Sequence, residues 1–365
     1  MPQDAKTYVA NMNESQENLG VQQHSGCMKS IRIGTYLLAS LFLTQCASVN
    51  APINDKIKGI ALESPAKPNH PQVMTEISSI GSNYVCLMPY SFMKDLHSDH
   101  ISFEYEWQWW GEKSAGIKVM IDEAQSAGMS VMLKPHLWIA DGTFTGLLSF
   151  SEDSTRISWE KSYTDYILLY AQIAEEKQLD LLCIGTELCG MVRSDKDYWA
   201  RLVSEVKKVY KGKLTYAANW DTYDEFPWEI GMDYVGVDAY FPVADNDSPD
   251  MEMVGRAWIP LKEELKQFSA SQKLPILFTE FGYRSVDCGL RKPWEQGREG
   301  NVCIENQTLG YEGFFQEVWS EDWLAGVFIW KWHTKEHLER KDSTRYSPQG
   351  KPAMDILERE WKRVK

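Results

Sequence analysis

The chain has 365 residues, 43% of them hydrophobic and 25% charged, enough to bury a full core without cross-links. A formal net charge of −14 with 15 Trp, 17 Tyr and 13 Phe argues against a nucleic-acid partner and for stacking against something neutral. The seven cysteines include no CxxC pair and no Cys/His cluster at zinc spacing, so a structural metal has no motif to hold it.

Residues 1–27 are polar and aperiodic, after which Met28, Lys29 and Arg32 lead into GTYLLASLFLTQCASVN. A basic stretch, an apolar run of about ten residues and small residues behind it form a secretion signal, too short to span a bilayer with comfort. Met28 is therefore a candidate start. Cys46, after Leu43, Thr44 and Gln45, resembles the acylated cysteine of a lipoprotein signal, although Gln45 departs from the small residue usual there. An ordinary cleaved signal or a buried first helix stays open. The expectation is a leader, signal or lipoprotein peptide and tether over residues 1–55 and one domain over 56–365. The protein would be exported, secreted or held at the cell envelope, touching membrane only through that anchor.

From Lys56 onward the chain repeats a short apolar run, a polar or aromatic tail and an amphipathic stretch. The predicted strands cover 57–62, 84–88, 130–134, 181–185, 214–218, 234–238, 275–279 and 324–330. Helices are predicted over 113–127, where Ile117, Met120, Ile121 and Ala124 share a face ahead of Gly128, and over 158–176, 197–210 and 253–268. Near-continuous apolar strands separated by such helices predict an α/β fold, the (β/α)8 TIM barrel. A doubly wound sheet would want a glycine-rich first turn, which is missing after Leu62. Cys86 and Cys183 lie in apolar runs and read as core. Cys288 and Cys303 flank the polar loop CGLRKPWEQGREGNVC and are either a disulfide or two free thiols.

In such a barrel chemistry collects at the C-terminal strand ends. Two glutamates follow nearly all-apolar strands there: Glu187 in LLCIGTEL and Glu280 in PILFTEFG. Opposed across the mouth, one carboxylic acid and one carboxylate are what glycosidic bond cleavage needs. The competing reading makes each half of a structural ion pair, with Lys134 or Lys331. Asp238, His136 and His333 are the one conceivable metal trio, but they come from distant strands without HxH or HExxH, and no metal or other cofactor is expected.

The phrases GSNYVCLMPYSF, VMLKPHLW, CIGTEL, NWD, YVGVDAYFP and LFTEFGYRS, in order between Lys56 and His333, resemble the glycoside hydrolases of clan A, most closely family 113, whose described members include β-1,4-mannanases. The resemblance implies Glu187 as general acid/base and Glu280 as nucleophile of a retaining hydrolase. Such enzymes want the carboxyl groups roughly 5 to 5.5 Å apart. Many clan members have Asn just before the acid/base, where it holds the sugar 2-hydroxyl. Thr186 stands there in this chain, and Asn219 or His136 is left to supply that bond or simply to organise its own loop. Tyr240, ending the sixth strand, is placed to donate to Glu280, and Asp238 reads as a structural acceptor.

Trp330 ends the eighth strand, where the clan keeps the floor of its central subsite, and Trp332 shares its phase if the strand continues. Trp107, Trp109 and Trp110 after strand two, Trp138 after strand three, and Trp220 and Tyr223 after strand five complete the candidate stacking surfaces, each equally readable as loop packing. The expected activity is cleavage of β-1,4-mannosidic linkages in mannan or manno-oligosaccharides. The rivals are another β-linked glycan attacked in endo or exo fashion, with residues 138–157 and 287–309 closing the cleft, a carbohydrate-binding barrel without catalysis, and an interaction scaffold.

Overall fold

The computed structural model describes residues 56–68, 72–297, 300–334 and 344–363; the expected signal and Cys46 lie outside the described residues. The strands are β1 (Ile57–Leu62), β2 (Tyr84–Leu87), β3 (Tyr90–Met93), β4 (Ser130–Leu133), β5 (His136–Ile139), β6 (Leu181–Thr186), β7 (Lys213–Asn219), β8 (Val235–Asp238), β9 (Ile276–Phe281) and β10 (Leu324–Trp332). Eight of them close a parallel barrel in the order β1-β10-β9-β8-β7-β6-β4-β2. This is the expected (β/α)8 barrel. β1 has the bounds read from the sequence, and the other barrel strands differ by one or two residues at an end.

Among the described residues eight helices surround it: α1 (Gln72–Ser79), α2 (Ser114–Ser126), α3 (Asp153–Glu176), α4 (Cys189–Ser194), α5 (Lys196–Val209), α6 (Met251–Gln272), α7 (Ile304–Glu317) and α8 (Pro352–Lys362). Between β7 and β8 the chain makes only a 3-10 turn, Trp228–Ile230. α5 buries Leu202, Val203 and Val206 against the barrel and is capped by the Asp195 carboxylate, which accepts from the Tyr198 amide at 3.0 Å. Asp250 caps α6 in the same way, accepting from the Met253 amide at 2.8 Å.

Inside the barrel Ala61, Cys86, Met132, Cys183, Ala217, Leu277 and Phe328 pack together. A Cβ on Gly59 would lie 2.2 Å from the Phe328 ring, so the absence of a side chain on β1 makes room for that ring.

β3 and β5 form a separate two-stranded parallel sheet above the mouth, with Tyr90 opposite His136 and Phe92 opposite Trp138. The predicted strands stop at 88 and 134 and include neither. Each continues a barrel strand past a proline, Pro89 after β2 and Pro135 after β4; a proline has no amide to donate to the ladder, so the sheet breaks there and resumes.

The disulfide alternative is not realised: Cys288 and Cys303 are both free. The loop between them does fold back on itself, but Val286 bridges Val302 and the Cys303 amide donates to the Ser285 carbonyl at 2.9 Å. That register sets Cys288 beside Gly300, not beside Cys303.

Candidate active site

Each barrel strand delivers its last side chains to the same end, and there a cavity of about 400 Å³ opens, lined by both Glu187 and Glu280. Glu280, on β9, is 6% exposed and accepts two short bonds, from Lys134 Nζ at 2.5 Å and from the Tyr240 hydroxyl at 2.6 Å. Both donors fix its orientation. Lys134, wholly buried at the end of β4, also donates to both Asp238 oxygens, at 3.0 and 3.3 Å, and Asp238 accepts from Thr279 at 2.7 Å. One ammonium thus serves two carboxylates under the cavity floor. Burial opposes the Lys134 charge, but Asp238 and Glu280 outweigh it and raise its pKa. Burial, then the Glu280 charge, raise that of Asp238.

Lys134, weighed above as a structural partner, therefore does pair with Glu280, while Lys331 sits 3.7 Å from Glu63 instead. The same carboxylate also faces the cavity. Replacing Lys134 by Met would leave two buried carboxylates without their cation and is expected to cost about 3 to 5 kcal/mol of stability. Urea unfolding checks this, and a loss under about 1 kcal/mol would show that the lysine is dispensable for folding.

Glu187 follows β6 in a left-handed conformation, φ 51°, with its amide donating to the Ala217 carbonyl at 2.8 Å. That conformation is uncommon for a side-chain-bearing residue and is held here by its neighbours: the next amide, of Leu188, donates to the Tyr216 hydroxyl at 2.7 Å. Burial, then the charges of Asp238 and Glu280, hold the Glu187 carboxyl well above the usual range. The two glutamates therefore differ in the manner an acid and a nucleophile require: one is favoured protonated, the other is given a cation and a hydroxyl donor.

Three polar groups on the cavity wall have no hydrogen-bond partner among the described residues: Thr186 Oγ1, His136 Nε2 and Trp138 Nε1. Burial, Lys134 and Lys331 lower the His136 pKa, so its ring is neutral. It stacks on Trp330 with centroids 6.1 Å apart and planes 9° from parallel. Unpaired donors and acceptors beside aromatic faces are what a polyhydroxylated ring with apolar faces would complete.

The structure brings together Glu187, Glu280, Tyr240, His136, Trp138 and Trp330, and separates the remaining candidates. Trp332 packs in the core outside the barrel, because the β1–β10 register shifts at Lys331, with Ala61 opposite Trp330 and Leu62 opposite Trp332. The extra residue puts Lys331 on the cavity and turns Trp332 away. Trp110 packs against the outer core over Gly116, and the Trp109 amide is tied to Glu112 Oε2 at 2.9 Å; neither lines the cavity. Asn219 accepts from the Trp220 amide at 3.0 Å and so organises its own loop, while Trp220 stacks on Trp294, centroids 5.0 Å apart, outside the cavity. Asp238, taken by Lys134 and Thr279, and His333, bonded to Glu63 at 2.8 Å, do not converge on a metal position, and no metal-binding cluster occurs among the described residues.

Part of the wall comes from residues 138–157 and 287–309, given above only as cleft-closing segments of a rival reading, and part from residues 344–346, which no sequence pattern marks. Phe144 with Thr143 and Thr145, Gln296 and Gly297, and Thr344, Arg345 and Tyr346 come from loops after β5, β9 and β10. Tyr346 packs edge-on to Tyr240, centroids 5.7 Å apart, and donates to the Pro293 carbonyl at 2.5 Å. Arg284, three residues past β9, lies within the phrase LFTEFGYRS, where no local pattern marks it as a cavity residue.

The sequence profile of Glycoside Hydrolase Family 113 matches residues 64–351. No curated protein matches the sequence. Among solved structures, the chain is similar to a family 113 β-mannanase from Alicyclobacillus acidocaldarius in complex with ManMIm, at 22% identity and a TM-score of 0.74, covering 86% of this chain and 99% of that one. It is also similar to a family 113 β-1,4-mannanase at 24% identity and a TM-score of 0.72, covering 84% and 99%, and to a complex structure of a family 113 β-1,4-mannanase at 23% and 0.71, with the same coverage.

Proposed function

The chain belongs to glycoside hydrolase family 113, and from that premise we propose that it hydrolyses β-1,4-mannosidic linkages with retention of configuration at the anomeric carbon. The observation that carries the reading is the contrast between the two cavity glutamates. Glu280, held by Lys134 and Tyr240, attacks the anomeric carbon and forms the glycosyl-enzyme, while Glu187 gives its proton to the departing oxygen. Water, losing a proton to Glu187, then attacks the same carbon and releases Glu280. Thr186 Oγ1, beside the acid and without a partner, is placed for a sugar hydroxyl where many relatives have Asn. Trp330 and His136 form one apolar wall for the ring.

The test is the time course of products from β-1,4-mannan and mannohexaose beside cellulose and xylan oligosaccharides, with the first-formed anomer read by proton NMR. Mixed short oligosaccharides from mannan alone, released as the β-anomer, are expected. The α-anomer first would overturn retention. A single small product would mark exo action, and cleavage of cellulose or xylan in preference would overturn the choice of sugar.

A further inference from the structure

The cavity holds a cation that the hydrolytic reading does not use. Arg284 is 5% exposed, lines the cavity, and has no carboxylate within ion-pair distance among the described residues. Its hydrogen bonds go to two backbone carbonyls, from Nε to Thr344 at 3.3 Å and from Nη1 to Glu295 at 3.4 Å. A guanidinium has five N–H donors, so among the described residues both on Nη2 and one on Nη1 have no partner, the edge that takes a carboxylate in a two-pronged fashion.

Among the described residues no neighbouring carboxylate forms an ion pair with it: Glu295, whose carbonyl it bonds, has its carboxylate 3.7 Å from Lys292. Glu280 is taken by Lys134, and the surroundings of Glu187 favour its neutral form. Arg284, Glu187 and Glu280 line the same cavity. Lys331, with its Nζ 5.1 Å from the Trp330 ring centroid, adds a second positive group to the wall, shared with Glu63. These cations stand out in a chain of net charge −14, whose overall field repels anions. A buried guanidinium with no ion pair among the described residues is costly, and a neutral sugar would add none.

We propose that Arg284 receives the carboxylate of an acidic sugar unit, so that this enzyme prefers a β-linked glycan bearing uronate residues over the uncharged chain. The inference rests on the glycosidase reading of the same cavity.

The probe is β-1,4-mannohexaose compared with the same oligosaccharide oxidised at part of its primary alcohols to carboxylates, which keeps linkage and ring configuration and adds only charge. For the unmodified enzyme kcat/KM is expected to be at least about tenfold higher on the oxidised substrate, as one charge-assisted hydrogen-bond pair would give. Arg284→Gln is expected to remove that preference, lowering kcat/KM on the oxidised substrate by a larger factor than on the neutral one, and Arg284→Lys to restore part of it. Equal or poorer cleavage of the oxidised substrate by the unmodified enzyme overturns the proposal, as does an equal loss on both substrates in Arg284→Gln, which would make the arginine a loop tie. If neither substrate is cleaved, the mannosidic reading fails, and titration calorimetry of the unmodified protein with β-1,4-linked mannuronate and mannose trisaccharides still decides: tighter binding of the mannuronate supports the carboxylate site, and equal or weaker binding overturns it.

Discussion

Glu280→Gln is expected to lower kcat by about four orders of magnitude or more, with substrate binding largely kept, because no other group can form the glycosyl-enzyme. The amide has the shape of the carboxylate; its one oxygen can still accept from Lys134, its NH2 can donate to a Tyr240 hydroxyl that turns to accept, and Lys134 keeps Asp238, so the thermal midpoint should move by only a few degrees. That separation matters, since a purely structural Glu280–Lys134 pair would make activity and stability fall together. Azide sharpens the test. In Glu280→Ala a small anion can enter the vacated space and displace the leaving group directly, giving an α-glycosyl azide, whereas attack on an intact glycosyl-enzyme gives the β product. Turnover above about a tenth of the original rate in either variant, without azide, would remove Glu280 from the nucleophile's role.

The parts of this site that were legible in the sequence are those in which one strand supplies both the signal and the position. Glu187 and Glu280 stand out because each ends an apolar strand, and Tyr240 because it ends the strand beside β9. Trp330 was legible for the same reason. Trp332 was misplaced because strand parity assumes regular alternation, and the irregularity at Lys331 reverses it. The side sheet was hidden by Pro89 and Pro135, which read as strand stops although they only interrupt the ladder. Arg284 and Tyr346 meet at the Glu295 carbonyl, to which both donate, only through long loops, and neither carries a local pattern that announces the other. Lys134 was visible only as one possible partner. Its role emerges from the meeting of β4, β8 and β9 at one depth, which periodicity does not encode.

The acid Glu187 predicts a different kinetic signature from the nucleophile. Glu187→Ala should slow hydrolysis of mannosidic bonds, whose leaving oxygen needs a proton, by about a thousandfold, while aryl glycosides with acidic leaving groups lose far less in the glycosylation step. Since its pKa is raised, Glu187 carries its proton at low pH and loses it as pH climbs through the folded value. It should therefore set the alkaline limb of kcat/KM, and that limb should vanish in the variant. Stability follows the same sign. A carboxyl whose folded pKa lies above its unfolded value helps the native state fully below the unfolded pKa, and that contribution is lost as pH rises through the folded one. Removing Glu187 should therefore raise the thermal midpoint more at pH 8 than at pH 5, relative to the unmodified chain. A midpoint difference independent of pH, together with an unchanged alkaline limb, would mean that Glu187 is not the proton donor, and the acid would have to be sought elsewhere on the cavity wall. The coupling of gain in stability to loss of chemistry is expected of a buried catalytic acid: the low-polarity surroundings that keep its proton at working pH are the same ones that penalise its charge when the proton leaves.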